Sequence, residues 1–267
     1  MSAPPAAPRG IDPHLGSIPF WREIAVELRK LVGTRGPWIL LGLLALVWIA
    51  ILAVLVFGET VTFSGSVQAF GNMTRIFVAI LTILLVTSEW GQRSVLTAFT
   101  LEPRRERVIA AKLAAALIGA ATLFGLAVAL SAVITAIRGG SFDGAAEVVR
   151  YGGVRALFDV LMAFAMALAV LNTAGAIVAY LALPDVVVPA LLFLLSFSTS
   201  GAQPGFEGHS TLFNTLAPWI YPQDAMSSLN SADIGAQDWA HVLVCAVIWI
   251  GVPGLLGVYR VMTSEVK

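Results

Sequence analysis

Long apolar stretches without charged residues constrain this chain more than any other feature of its sequence. Residues 37–57 contain no Asp, Glu, Lys or Arg. A helix rises about 1.5 Å per residue, so about 20 apolar residues cross a hydrocarbon layer of roughly 30 Å. Similar runs follow along the rest of the chain. The sequence therefore predicts an all-α, polytopic membrane protein with six transmembrane helices, at about residues 37–57, 70–88, 108–137, 155–181, 186–202 and 238–259.

The composition favours lipid over water as the solvent. Hydrophobic residues make up 58% of the chain and charged residues 12%, whereas soluble domains hold about 45–50% apolar and 25% charged residues. We predict one transmembrane domain over residues 17–267, after a disordered, proline-rich cytoplasmic tail at residues 1–16. The net charge is zero, so no nucleic-acid partner is expected. A lone Cys245 suits helix packing and provides neither a disulfide within the chain nor a metal site.

Positive charges in the loops predict the orientation, because Arg and Lys concentrate on the cytoplasmic side of a membrane. With the N-terminus inside, twelve of them fall on inner segments and four on outer ones. The inner residues are Arg9, Arg22, Arg29, Lys30, Arg35, Arg93, Arg104, Arg105, Arg107, Lys112, Arg260 and Lys267, and the outer residues are Arg75, Arg138, Arg150 and Arg155. Both termini are therefore predicted in the cytoplasm. The excess of Arg over Lys indicates a GC-rich bacterium, and hence its plasma (inner) membrane.

An amphipathic interfacial helix is predicted at residues 17–35, before the first span. Trp21, Ile24 and Leu28 share one face at helical spacing, while charged residues such as Arg29 occupy the other. Such a helix can lie in the headgroup layer with its apolar face down, or it can simply cap the first span.

The segment 89–107 is the longest predicted inner loop and the most charged part of the chain. Gly91 permits a break where the second span ends, and Pro103 ends a short helix predicted at residues 93–100. Apolar residues on one side of this helix are Val95, Leu96 and Phe99, and basic residues at the start of the third span are Arg104, Arg105 and Arg107. The segment is either a positively charged topology anchor or a helix that docks onto a soluble partner.

Residues 206–231 form an unusual segment on the predicted outer side. Residues 212–221 are apolar but too short to span, and Pro218 and Pro222 interrupt them. Trp219 and Tyr221 are aromatic residues suited to the membrane interface. We predict a short helix that dips into the outer leaflet; an ordinary folded loop is the alternative.

These features resemble the membrane subunits of type-2 ABC exporters. The resemblance rests on Glu89 and Gly91 at the end of the second span, the helix at residues 93–100, the turn Pro103-Arg104-Arg105, and Lys112 in the third span. It extends to the N-terminal amphipathic helix and to a short outer re-entrant hairpin before the last span, carried by residues 214–226. The chain departs from the family pattern at Gln92-Arg93-Ser94, where many members have a charged residue, Gly and Thr.

The resemblance implies a permease that forms half of a translocation pathway and couples to an ATPase. Residues 93–100 would be the cytoplasmic coupling helix, seated in a groove of the ATPase. The implied coupling residues are Glu89, Gly91, Arg93, Val95, Leu96, Phe99, Pro103, Arg104, Arg105 and Arg107, and the implied hairpin residues are Asn214, Pro218, Trp219, Tyr221 and Pro222. The partners would be two ATPase copies, a second permease half, identical or paralogous, and membrane lipids. The cargo would be hydrophobic or amphipathic, such as a drug, an antibiotic or a lipid.

The chain itself is not expected to be an enzyme. It contains no G-x-x-x-x-G-K-[ST] phosphate loop, and its only lysines are Lys30, Lys112 and Lys267. ATP and Mg²⁺ are therefore expected in the partner ATPase, with no cofactor or metal bound by this chain.

Three other functional classes remain open. A secondary transporter usually needs ionisable residues deep in the membrane. Asp159 is the best candidate, but Arg155 precedes it by one helical turn and suits pairing with it, and Arg75 is predicted near an outer end. These three residues are either a structural ion pair or a substrate contact. An intramembrane protease would need a nucleophile and a base, for which Ser200 and His241 are weak candidates, and a membrane scaffold is the third alternative.

Overall fold

The computed structural model describes residues 19–58, 60–91, 105–199, 211–231 and 233–263. It confirms an all-helical fold with six helices long and apolar enough to span a membrane. These candidate spans are Arg35–Phe57, Phe63–Ser88, Arg105–Ile137, Ala145–Val170, Thr173–Leu194 and Ala236–Thr263. The coupling helix predicted at residues 93–100 lies outside the described residues.

The α-helices of the described residues are numbered here in chain order. They are α1 (Phe20–Gly33), α2 (Arg35–Phe57), α3 (Phe63–Gly91), α4 (Arg105–Ile137), α5 (Ala145–Val170), α6 (Thr173–Ala182), α7 (Val188–Thr199), α8 (Thr211–Ile220), α9 (Pro222–Ser227), α10 (Ala236–Ala246) and α11 (Val252–Thr263). The fifth span consists of α6 and α7, and the sixth consists of α10 and α11.

A π-helical turn joins the two halves of each of these composite spans, at Leu183–Val187 and Val247–Gly251. In both cases a proline, Pro189 or Pro253, is the second residue of the helix that follows. Proline has no N–H, and its ring clashes with the carbonyl four residues earlier in a regular α-helix. The wider π turn accommodates the ring without ending the helix.

Helix α5 is the centre of the bundle. In the most apolar 18 residues of each span, 61% are buried for α5 but only 6% for α2. Helices α3 and α11 pack directly against α5. At Gly257 of α11 the approach is so close that a Cβ atom would lie 2.5 Å from Leu168 Cβ of α5, so the contact requires glycine.

Helix α1 runs alongside the first turns of α4. Its apolar residues Ile24, Leu28 and Leu31 pack against a buried cluster that includes Leu85 of α3 and Ala116 of α4. Much of the face predicted to lie on lipid therefore covers protein. With 33 residues, α4 is about 48 Å long, which exceeds the hydrocarbon thickness of roughly 30 Å.

Two predicted spans have different bounds in the structure. The sequence predicted spans at residues 155–181 and 186–202, but the helix break lies earlier, at Leu171 and Asn172. Leu171 adopts a left-handed conformation with φ 55°. The Asn172 side chain accepts a hydrogen bond from Gly175 N–H, which caps the start of α6. The other four spans agree with their predicted positions to within about two helical turns.

Candidate functional site

The three charged residues singled out in the sequence lie together between α3 and α5. Arg155 Nε donates to Asp159 Oδ2 over 3.2 Å, and Arg75 Nη1 lies 3.7 Å from the same oxygen. Only 1% of Asp159 is exposed. One buried carboxylate thus faces two guanidinium groups, and we call Arg75, Arg155 and Asp159 the mid-span cluster.

The mid-span cluster lies near the middle of its helices. Arg75 is about 18 Å along α3 from Phe63, and Asp159 is about 21 Å along α5 from Ala145. The sequence had placed Arg75 near an outer end, because the second span was predicted to begin at residue 70. Ionisable groups at this depth of a span are costly and are usually functional.

The connection between α8 and α9 reaches the mid-span cluster. Arg155 Nη1 donates to the Pro222 carbonyl over 3.0 Å, and Arg155 Nη2 lies 3.5 Å from Gln223 Oε1. From another helix, Trp249 Nε1 donates to the Ile220 carbonyl over 2.7 Å. The end of α8 and the start of α9 therefore contact residues well inside the fourth and sixth spans.

Several residues of the predicted outer hairpin form this connection. Pro218 lies inside α8, Tyr221 separates the two helices, and Pro222 begins α9. Burial, followed by the nearby Asp185, raises the pKa of the Tyr221 hydroxyl. The connection is thus partly buried and lies close to an acidic residue of the fifth span.

The other residues of the predicted hairpin are Trp219 and Asn214. The Trp219 ring packs edge-on against His241, with 4.4 Å between the ring centroids. His241 had been weighed as the base of a protease, whose supposed nucleophile Ser200 lies outside the described residues. The Asn214 side chain and residues 206–210 also lie outside the described part of the chain.

The mid-span cluster is incompletely paired. Arg75 makes no hydrogen bond with any described residue, and its buried Nε has no partner there. Asp159 Oδ1 is likewise buried without a hydrogen bond to a described residue. Most buried polar atoms in proteins are paired, so this site has unused hydrogen-bonding capacity.

Asp185 is a candidate that the sequence analysis missed. It lies in the π turn of the fifth span, is exposed, and is near enough to interact electrostatically with Arg75 and Arg155. Its signal was an acidic residue between apolar runs, but the sequence analysis placed it in the gap between the spans predicted at residues 155–181 and 186–202. A π turn inside a helix often marks a functional position.

A second set of charges fixes α1 to α4. Lys112 Nζ donates to Glu27 Oε2 over 2.9 Å, Lys30 Nζ donates to Glu27 Oε1 over 2.6 Å, and Arg107 Nε lies 3.0 Å from Glu23 Oε1. We call Glu23, Glu27, Arg107 and Lys112 the α1 clamp. No sequence pattern indicated these pairings, since 85 residues separate Glu27 from Lys112.

The implied coupling residues are only partly described. Those outside the described residues are Arg93, Val95, Leu96, Phe99, Pro103 and Arg104. Glu89 and Gly91 belong to the last turn of α3. Arg105 Nη1 donates to the Val261 carbonyl near the end of α11 over 2.8 Å, and Arg107 belongs to the α1 clamp. The two described arginines thus connect the start of α4 to two other helices.

Other arginines near the span ends also bind helix-terminal carbonyls. Arg260 Nη1 donates to the Ala169 carbonyl at the end of α5 over 2.8 Å. Arg138 Nη2 donates to the Gly58 carbonyl just after α2 over 2.6 Å. The last carbonyls of a helix lack partners within it and carry partial negative charge. These arginines therefore have a structural role beyond orienting the chain.

Comparison of the sequence with models of known protein families finds no match. Comparison with curated proteins finds no significant relative.

Proposed function

We propose that this chain is the permease subunit of an ATP-driven ABC exporter. It would form half of the translocation pathway, pair with a second permease half, and couple to two copies of a separate ATPase subunit. It would lie in a bacterial plasma membrane with both termini in the cytoplasm. Its cargo would be hydrophobic or amphipathic.

The observation that carries this proposal is the α1 clamp. A permease driven by a soluble ATPase needs a stiff connection between the docking surface and the spans, because a compliant one would absorb the movement. Helix α4 begins at Arg105, inside the proposed coupling segment (residues 89–107), and the clamp fixes α1 to its first turns. Since α4 exceeds the hydrocarbon thickness by about 18 Å, this stiffened end can extend beyond the membrane.

The contacts of α8 and α9 support a second element of the proposal, a re-entrant hairpin. The two helices, which Tyr221 separates, are too short to span. Their connection nonetheless accepts hydrogen bonds from Arg155 and Trp249 inside long spans. We assign the hairpin to the outer side of the membrane, where it would close the end of the pathway opposite the ATPase.

A purification experiment tests the proposal. A tagged chain, extracted from native membranes in mild detergent, is expected to bring down a P-loop ATPase that mass spectrometry identifies. Leu96→Asp places a charge on the predicted apolar side of the coupling helix and should release the ATPase. Thr97→Asp adds the same charge to the adjacent residue outside the Val95, Leu96 and Phe99 set, and should retain it.

Protease protection and membrane insertion must be unchanged in both variants, so that a loss of ATPase reports docking. If no ATPase copurifies, or if the two variants retain it equally, the permease proposal fails.

A secondary transporter is the second candidate, because the mid-span cluster and Asp185 lie deeper in the spans than the sequence indicated. Ion-coupled carriers place ionisable groups at such depths. Under this alternative the chain would move cargo in ATP-free proteoliposomes, and an ionophore that collapses the ion gradient would stop it.

A further inference from the structure

A cleft between α3, α4 and α5 exposes the unpaired part of the mid-span cluster. It extends along α3 from Val67 to Val78, a distance of about 16 Å. Its wall residues include Gln68, Gly71, Phe124 and Tyr151, and both Arg75 and Arg155 face it. The space accessible to water inside it is about 30 Å³, enough for one or two water molecules or for a group as small as a carboxylate.

The charges in this cleft do not balance. Arg75 and Arg155 both line it, whereas Asp159, their shared partner, is buried behind them and does not. Arg155 is engaged by Asp159 and by the Pro222 carbonyl. The Arg75 guanidinium, with 19% of its side chain exposed, keeps its N–H donors without a hydrogen bond to any described residue.

An isolated guanidinium within a membrane span is costly, and burial without hydrogen bonds adds to that cost. A negatively charged hydrogen-bond acceptor would offset this cost. A group with two oxygens matches the planar guanidinium best, because two parallel N–H groups can donate to it. Asp185 also interacts electrostatically with Arg75, but it does not line the cleft.

We propose that this cleft binds the oxyanion of an amphipathic acid, a carboxylate or phosphate attached to an apolar body, with Arg75 as its principal ligand. The oxyanion lies against the Arg75 fork, and the amide side chains of Gln68 and Asn72 supply further donors in the same cleft. Most of the cleft wall is apolar, including Val67, Val78 and Phe124. The apolar body of the ligand follows that wall toward the lipid.

Binding to the purified full-length chain tests this assignment. The protein is placed in nanodiscs of phosphatidylcholine and titrated with dodecanoate, with uncharged dodecanol as the matched ligand. Dodecanoate is expected to raise the unfolding temperature in a saturable manner and dodecanol is not. A parallel set of nanodiscs containing phosphatidylglycerol shows whether a bilayer lipid headgroup provides the oxyanion instead.

Two variants locate the site. Arg75→Gln should weaken dodecanoate binding about tenfold, the effect of losing one charge-assisted hydrogen-bonded contact. Gly71→Leu leaves the charges intact but fills the cleft, since no atom lies within 4 Å of a Cβ built at Gly71. Gly42→Leu is its control, because Gly42 of α2 has equally open surroundings but lies outside the cleft.

Saturable binding of dodecanoate or stabilisation by phosphatidylglycerol, lost in both Arg75→Gln and Gly71→Leu and kept in Gly42→Leu, supports the site. Equal effects of dodecanol and dodecanoate, or unchanged affinity in the Arg75→Gln protein, would overturn it. If Arg75→Gln does not fold, the comparison of dodecanoate binding between Gly71→Leu and Gly42→Leu decides whether the ligand occupies the cleft. The ATPase takes no part in this measurement, so its outcome is independent of the permease proposal.

Discussion

The Glu27–Lys112 pair of the α1 clamp and the mid-span cluster are both buried sets of charges, but they differ in how completely they are paired. In the clamp, Lys112 donates to Glu27 and to the Leu85 carbonyl, while Lys30 occupies the second Glu27 oxygen. In the mid-span cluster, Asp159 Oδ1 and Arg75 Nε are buried without a hydrogen bond to a described residue.

This difference separates a structural joint from a binding site. A buried ion pair offsets its desolvation only when its geometry is good and its remaining hydrogen bonds are made. The Glu27–Lys112 pair meets that condition within a single chain, so it needs no ligand. The mid-span cluster does not meet it, and its incomplete pairing is consistent with a partner that arrives from outside.

The largest expected effect is on the clamp. Lys112→Met removes the cation and leaves Glu27 buried with only Lys30 beside it, so the free energy of unfolding should fall by about 3–5 kcal/mol. Titration with sodium dodecyl sulfate in mixed micelles, followed by tryptophan fluorescence, measures this change. Arg29→Met, on the exposed side of α1, is the control and should change it by less than about 0.5 kcal/mol.

A double substitution distinguishes loss of pairing from loss of packing. Glu27→Leu combined with Lys112→Met removes both charges, so it should recover most of the stability lost in Lys112→Met alone. If the double variant is as unstable as Lys112→Met, the clamp matters through its packing and the comparison with the mid-span cluster breaks down.

Local patterns in the sequence predicted the spans but not all of their bounds. Residues 37–57 have no charge and no proline after Pro37, and the structure has a helix there. The break at Leu171 was missed, because an apolar residue in a left-handed conformation has no sequence signature. A break was predicted at residues 182–185 instead, where the π turn at Leu183–Val187 accommodates Pro189 without ending the helix.

Among the charged residues, too, the sequence predicted contacts within one helix but not contacts between helices. Arg155 and Asp159 are four residues apart on one helix, so their proximity followed from helical periodicity. Arg75 comes from another helix, and its place beside Asp159 depends on how α3 packs against α5. The depth of Asp185 depends in turn on the unpredicted break at Leu171.

A smaller effect is expected within the mid-span cluster, at its paired arginine. Arg155→Gln removes the hydrogen bonds to Asp159 and to the Pro222 carbonyl, and should lower the free energy of unfolding by about 1.5–3 kcal/mol. The same micelle titration measures it. Arg138→Gln, which loses one carbonyl contact at an exposed span end, should lower it less. Equal losses in the two variants would mean that burial of the cluster adds nothing to its stability.

The smallest expected effect is at Arg75, the arginine of the same cluster that makes no hydrogen bond to a described residue. Arg75 lies beside Asp159 at 3.7 Å without a hydrogen bond, and Asp159 keeps Arg155 when Arg75 is removed. Arg75→Gln therefore removes a partly buried cation whose desolvation is poorly offset, and the free energy of unfolding should change by less than about 1 kcal/mol in either direction. The measurement is made in micelles free of acidic amphiphiles, because a bound anion would stabilise the wild-type chain alone. A loss as large as that of Arg155→Gln would show that Arg75 is fully paired within the folded chain, and the distinction between a closed joint and an open site would then disappear.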